Sequence, residues 1–99
     1  MIRTLRTNEF KVWFESQRLR VQGQIDARIS KIEEFEYFGD VKNLNDGLLE
    51  LRWTNGRRVY FSRVGNKIIL LLVGGYKNAQ KKDIQKARLL LVRYSNPRT

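Results

Sequence analysis

The 99-residue sequence contains no cysteine and no histidine. Together these absences exclude zinc-finger and haem ligation, thiolate nucleophiles, Ser–His or Cys–His catalytic machinery and an imidazole general base. Any catalysis must draw on Lys, Arg, Tyr, Asp or Glu. The single proline, Pro97, lies in a short polar stretch at residues 95–99 that reads as a flexible tail. With no repeat, linker or low-complexity segment, residues 1–99 read as a single domain with one core, too short for a large active-site domain. Long apolar runs are missing too. The longest, Ile68 to Val73, is far below the roughly 20 residues that cross a bilayer, and the opening MIRTLRTNEF has no signal-peptide apolar stretch. A cytoplasmic chain without membrane contact is expected. The acidic residues are scattered, with no ligand cluster, so neither a metal nor a cofactor is expected.

Positive charge is abundant, and it lies in one half. Twenty Lys and Arg stand against ten Asp and Glu, a net charge of +10. Residues 1–50 hold 8 basic and 9 acidic side chains, whereas residues 51–99 hold 12 basic and 1 acidic, Asp83. Such asymmetry points to a polyanion-binding face, and nucleic acid is the commonest polyanion. The plain alternative is charge that only keeps the chain soluble.

Ile2 to Arg6 fits a short strand. Asn8 is placed to cap a helix running to about Gln17, with Glu9 in its first turn and Phe10, Trp13 and Phe14 at helical spacing. Val21, Ile25, Ile29, Ile32 and Phe35 recur at three- and four-residue intervals and predict a second helix ending before Gly39, with Gln24, Arg28, Lys31 and Glu34 facing water. A polar connection over 39–47 leads to strand-like runs at 48–53, 57–64 and 67–73. A two-residue Asn55-Gly56 turn would set Arg52 beside Val59 and Glu50 beside Phe61, charge against core. A three-residue turn with Gly56 left-handed instead pairs Leu51 with Val59, Leu49 with Phe61, Arg52 with Arg58 and Glu50 with Tyr60. The hydrophobic pattern selects this register.

Gly65-Asn66 reads as a two-residue hairpin tip closed by Val64 and Lys67, which pairs Phe61 with Leu70, Val59 with Leu72, Arg58 with Val73 and Tyr60 with Leu71. The last strand, apolar on both faces, is expected to be central. One sheet face packs on the N-terminal helices; the other presents Glu50, Arg52, Arg58 and Tyr60 beside Ile69 and Leu71. Gly74-Gly75 ends the strand, and Asn78 caps a final helix whose inward stripe is Ile84, Ala87 and Leu91, suited to cover Ile69 and Leu71. Its leading loop carries Lys77 and Gln80 to the Arg58 end. Trp53, and at least one of Trp13 and Phe14, are expected to be buried.

Glu50, Arg52, Arg58, Tyr60, Lys77 and Gln80 therefore form one candidate site. Metal-free RNA cleavage needs a group to take the 2′-OH proton, donors for the charge growing on the phosphate, and an acid for the 5′ leaving oxygen. The guanidinium forks of Arg52 and Arg58 suit phosphate. Glu50 and Tyr60 are the candidates for proton transfer, although neighbouring arginines lower a carboxyl pKa and an unperturbed phenol titrates near about 10. The plain alternative is an exposed sheet face on which Glu50 pairs with an arginine. Arg57, Gln80, Lys81, Lys82 and Lys86 are candidate RNA-binding residues, and the last three also fit an ordinary solvated helix face.

Phe38-Gly39-Asp40-Val41-Lys42, Asp46-Gly47 before Glu50-Leu51-Arg52, Arg58-Val59-Tyr60-Phe61, and Leu71-Leu72-x-Gly74-Gly75-x-Lys77-x-x-Gln80-x-x-Asp83-Ile84 occur in that order. In this order and spacing the chain resembles the HigB-like, phage-derived addiction-module killer proteins of the RelE/ParE toxin superfamily, over roughly residues 8–94. The resemblance implies an α+β fold of order βααβββα, with two N-terminal helices on one face of a small twisted antiparallel sheet and a C-terminal helix. It implies a toxin neutralised by a separate antitoxin, expected to be a small helix-turn-helix protein, and RelE-like members are ribosome-dependent mRNA interferases. The family's catalytic arginine falls on Arg58 and the basic position after the strand on Lys77, whereas Arg57 stands where the family usually has a tyrosine. The expected function is a metal-independent endoribonuclease acting on mRNA at the ribosome through Arg52, Arg58 and Lys77. The alternatives are a ParE-like gyrase inhibitor and a non-catalytic basic nucleic-acid-binding module.

Overall fold

In the computed structural model, which describes residues 1–95, the chain begins with strand β1 (Arg3–Arg6) and helix α1 (Asn8–Glu15). The α1 cap is Thr7, one residue before the predicted Asn8, and its hydroxyl accepts from the Phe10 amide at 2.9 Å. Helix α2 (Leu19–Phe35) follows the predicted period and buries Val21, Ile25, Ile29 and Ile32. Phe35, the expected next member of that stripe, is exposed. The helix ends as Glu36 takes a left-handed conformation, φ 55°, and its carboxylate is held by Lys67 at 2.6 Å. Arg28 is not solvated either. It donates to the carbonyls of Phe38, Asp40 and Arg52 at 2.6 to 2.9 Å and lies over the Trp53 ring, so α2 is tied to the strand that carries Arg52.

The rest of the sheet is β2 (Val41–Asn43), β3 (Leu49–Arg52), β4 (Arg57–Arg63) and β5 (Ile68–Tyr76), followed by a 3-10 turn (Lys77–Ala79) and helix α3 (Gln80–Ser95). Ser95 thus belongs to α3, and the remainder of the expected tail lies outside the described residues. The strand order is β1-β5-β4-β3-β2, with β5 flanked on both sides as expected. The α+β architecture with its C-terminal helix is the expected one, with two additions. The connection over 39–47 contains the short exposed strand β2, and β1 runs parallel to β5, which makes the sheet mixed.

The β3–β4 register is the predicted one, Leu49 with Phe61, Glu50 with Tyr60, Leu51 with Val59 and Arg52 with Arg58, and Gly56 has φ +95°. The β4–β5 register is not. The hairpin closes where the Val64 amide meets the Ile68 carbonyl at 3.0 Å, one residue wider than a two-residue turn, so Phe61 pairs with Leu71. A bulge beyond Phe61 shifts the rest, so Tyr60 pairs with Val73, Val59 with Gly74 and Arg58 with Gly75. A one-residue shift exchanges faces. Ile69 and Leu71 therefore join Leu51, Val59 and Phe61 under α1 and α2. Leu72 and Val73 lie on the other face with Leu48, Tyr60, Ala87 and Leu90, beneath α3. The apolar interior is thus two layers divided by the sheet. Trp13, Phe14 and Trp53 are only partly buried at its margin; Phe10 is the enclosed aromatic of α1.

Gly74 and Gly75 do not break β5. They allow both helices to approach it: a Cβ on Gly74 would run into the Trp13 ring of α1, and one on Gly75 into the Asp83 carboxyl of α3. Gly74→Ala is expected to cost roughly 3 kcal/mol in urea unfolding through overpacking. On a Trp13→Ala background, where the obstructing ring is gone, the same change should cost under about 1 kcal/mol, a coupling measurable by a double-mutant cycle.

Candidate active site

At the hairpin end of β3 and β4, two arginines face each other across the strands, since Arg52 pairs with Arg58. Like charges in that position repel. The group beside them is Glu50, whose residue exposure is 0%. Gln80, the first residue of α3, donates to Glu50 Oε2 at 2.7 Å, and Arg52 Nε lies 3.6 Å from Oε1. Arg58 is 8% exposed. Its Nη1 folds back on its own hairpin and donates to the Trp53 and Arg57 carbonyls at 3.1 and 2.9 Å. Among the described residues, Nε of Arg52 and of Arg58, Oε1 of Glu50 and the Tyr60 hydroxyl have no hydrogen-bond partner.

Tyr60, expected on an open polar face, is fully buried under α3. Burial, and then the Glu50 carboxylate, push its phenol far above the ordinary tyrosine range. The structure thus brings Glu50, Arg52, Arg58, Tyr60 and Gln80 together, but as a covered cluster. Arg52, with 36% of its side chain accessible, the partly exposed Gln80 and the edge of Arg58 reach the surface. Gln80 is engaged by Glu50. Lys77 begins the 3-10 turn beside this cluster, where its amide donates to the Gly56 carbonyl at 2.8 Å and its side chain is exposed. Arg57 is next to Arg58 on a strand and so faces the other side of the sheet. There it donates to Gln17 at 2.9 Å and lies 4.9 Å from the Tyr76 ring centre.

Lys81 and Lys82 are exposed on the first turns of α3. Lys86 is exposed too, and it borders a cleft between α1 and α3 with Glu9, Trp13 and Asp83. Two residues absent from the sequence-based site stand near the arginines. Tyr76 follows Gly74 by two on β5 and shares its face, and period-2 counting past the glycines would have found it. Asp83 rests on Gly75, which pairs with Arg58; its signal was being the single acid of residues 51–99. Burial holds the Asp83 carboxyl above its usual range despite the opposing charges of Lys86 and Lys82. Among the described residues no group of three acidic side chains is placed to hold a metal ion, and no helix is long and apolar enough to cross a membrane.

Residues 12–95 match the family model for phage-derived Gp49-like proteins. An uncharacterized protein of Haemophilus influenzae is 41% identical over 87 residues, covering 85% of this chain and 87% of that one. The fold is similar to that of the isolated RelE toxin of E. coli, with a TM-score of 0.66 at 9% identity over 87% of this chain and 98% of RelE. It is also similar to chains in two antitoxin–toxin complexes. For RelBE of E. coli the TM-score is 0.63 at 9% identity, over 77% of this chain and 96% of that one. For RelB–RelE of Methanococcus jannaschii it is 0.65 at 12% identity, over 80% and 96%.

The raised Asp83 carboxyl gives a signed pH dependence. A carboxyl whose folded pKa exceeds its unfolded value destabilises the fold above the folded pKa, and that penalty is relieved as pH falls through it. Asp83→Asn should therefore melt at a higher temperature than wild type at pH 7. The difference should shrink toward pH 4, as read from paired thermal melts.

Proposed function

Since the chain belongs to the family of phage-derived Gp49-like proteins and has the fold of RelE, we propose that it is the toxin of a toxin–antitoxin pair, an endoribonuclease that cleaves mRNA on the ribosome. One observation carries the chemical part of this reading. Two guanidiniums face each other at one hairpin end beside a single fully buried carboxylate; Arg52 lies 3.6 Å from that carboxylate and keeps 36% of its side chain accessible, and Arg58 Nε has no hydrogen-bond partner among the described residues. Buried polar groups without partners are rare and costly. A phosphate at this end would accept from both forks and offset the repulsion between them.

Cleavage then proceeds by attack of a 2′-oxygen on the adjacent phosphorus as its proton passes to water. The P–O5′ bond breaks, a 2′,3′-cyclic phosphate forms, and the departing 5′ oxygen takes a proton from water. Arg52, Arg58 and Lys77 stabilise the charge that builds on the non-bridging oxygens. Glu50 and Tyr60, being enclosed, act through the arginines: Glu50, oriented by Gln80, fixes Arg52, and Tyr60 closes the floor beneath them. Lys81 and Lys82 supply long-range attraction for the mRNA backbone. The partner antitoxin would present an acidic or amphipathic segment that covers Arg52, Arg58 and Lys77.

Single-turnover cleavage on programmed ribosomes at two salt concentrations separates these roles. Arg58→Ala is expected to lower the saturated rate about 10²- to 10³-fold, the scale for losing one oxyanion donor. Lys81→Ala should leave that rate unchanged, weaken association, and reduce the salt slope by about 0.7 for one single-strand phosphate contact. Unchanged cutting by Arg58→Ala at saturation would refute the site. Growth arrest with no RNA cleavage but with broken DNA would replace this reading by gyrase inhibition.

A further inference from the structure

On the sheet face opposite Glu50, the start of α2 and the β3–β4 hairpin enclose a cleft of about 350 Å³, lined by Arg18, Arg20, Gln24, Asn55, Arg57 and Tyr76. Three guanidiniums converge there. Among the described residues no carboxylate is within ion-pair distance of any of them. Helix α2 begins at this cleft with Arg18 at its cap position, no side chain capping its first turn and no acid in that turn. The positive end of the helix dipole therefore adds to the arginine charges. The wall is built with some precision: Gly56, at φ +95°, leaves room for Tyr76, whose Cε1 would lie 2.6 Å from a Cβ there. The Arg57 guanidinium covers the tyrosine ring at 4.9 Å, and Asn55 Nδ2 donates to Gln24 Oε1 at 2.8 Å, joining hairpin tip to helix.

We propose that this cleft binds one nucleotide of single-stranded RNA adjoining the cleaved bond. Its phosphate lies among Arg18, Arg20 and the first turn of α2, and its base packs against the Arg57–Tyr76 stack. The inference rests on the RNA-cleaving reading and extends it across the sheet: Arg57 and Arg58 are consecutive and face opposite sides, so a strand crossing the hairpin rim would meet both. Several cations without counter-charges call for an anion. A guanidinium–aromatic wall with side-chain amides beside it suits a planar base, as in single-strand RNA recognition; an acidic protein segment would use the charges and leave that wall idle.

The test is fluorescence anisotropy of a labelled oligouridine with 2′-O-methyl sugars, which cannot be cut by 2′-oxygen attack. Wild type is expected to bind it in a salt-dependent way. Arg18→Ala/Arg20→Ala should weaken binding at least about tenfold and lower the slope of log K against log salt by about 0.7, one single-strand phosphate. Tyr76→Leu should weaken binding roughly fivefold or more with the slope unchanged, as for loss of a stacked base. Arg18 and Arg20 are exposed, so a thermal melt of the double variant should match wild type. Unchanged affinity and slope in that variant overturn the proposal. So does displacement of the oligonucleotide by oligoglutamate equally from wild type and Tyr76→Leu, which assigns the cleft to a protein segment. Arginine-dependent binding by a chain that never cleaves mRNA supports the cleft and refutes only the cleavage; cleavage without arginine-dependent binding does the reverse.

Discussion

Glu50 has no contact with water, and withdrawing an ionised carboxylate from solvent costs roughly several kcal/mol unless protein groups replace the lost hydration. Only a few positions supply such groups. Gln80 reaches Oε2 from the first residue of α3, and Arg52 approaches Oε1 from the same strand. The need to satisfy this one carboxylate therefore sets where α3 begins. That placement carries Lys77 to the hairpin end and seals Tyr60 beneath the helix. Arg88 reinforces it from the same helix by donating to the Leu44 and Asn45 carbonyls.

From this arrangement follow the two chemically distinct sides of one hairpin. On the α3 side, Arg58 is fixed by backbone carbonyls and Arg52 lies beside Glu50, the preorganisation that the proposed phosphate chemistry would require. On the α2 side, Arg18, Arg20 and Arg57 are set around an open cleft and face no carboxylate among the described residues. Three acidic side chains of residues 1–50 pair with cations elsewhere, Glu9 with Arg93, Asp26 with Arg6 and Glu36 with Lys67. Glu50, the carboxylate at the hairpin, is turned to the α3 side with Arg52, so the α2 side gathers cations alone.

The sequence was most legible where two independent constraints agreed. Alternation in β3 and β4 and the left-handed need at Gly56 both selected one register, and the structure has it. In β5, residues 68–73 are apolar at every position, so no alternation chose between faces, and the loop around Gly65-Asn66 allows more than one closure. The one-residue wider turn and the bulge were invisible for that reason, and with them the true cover of Tyr60. Strand β2 has no buried residue to give it a period. Residue type concealed Arg28 as well, since its spacing marks a solvated position while its reach finds three carbonyls. The pairing of Arg52 with Arg58 was readable from the β3–β4 register, and Lys77 and Gln80 follow β5 in order although its predicted pairing with β4 was shifted; the enclosure of Glu50 depended on where α3 would lie.

The central claim is that this arginine end stabilises attack by a ribose 2′-oxygen, and the cleaved RNA itself records that chemistry. Fragments released from programmed ribosomes by the wild-type chain should be mapped by end-specific ligation and mass spectrometry. Attack by the 2′-oxygen leaves 2′,3′-cyclic phosphate or 3′-phosphate ends opposite 5′-hydroxyl ends, and these are the expected products. Fragments with 3′-hydroxyl and 5′-phosphate ends would contradict it.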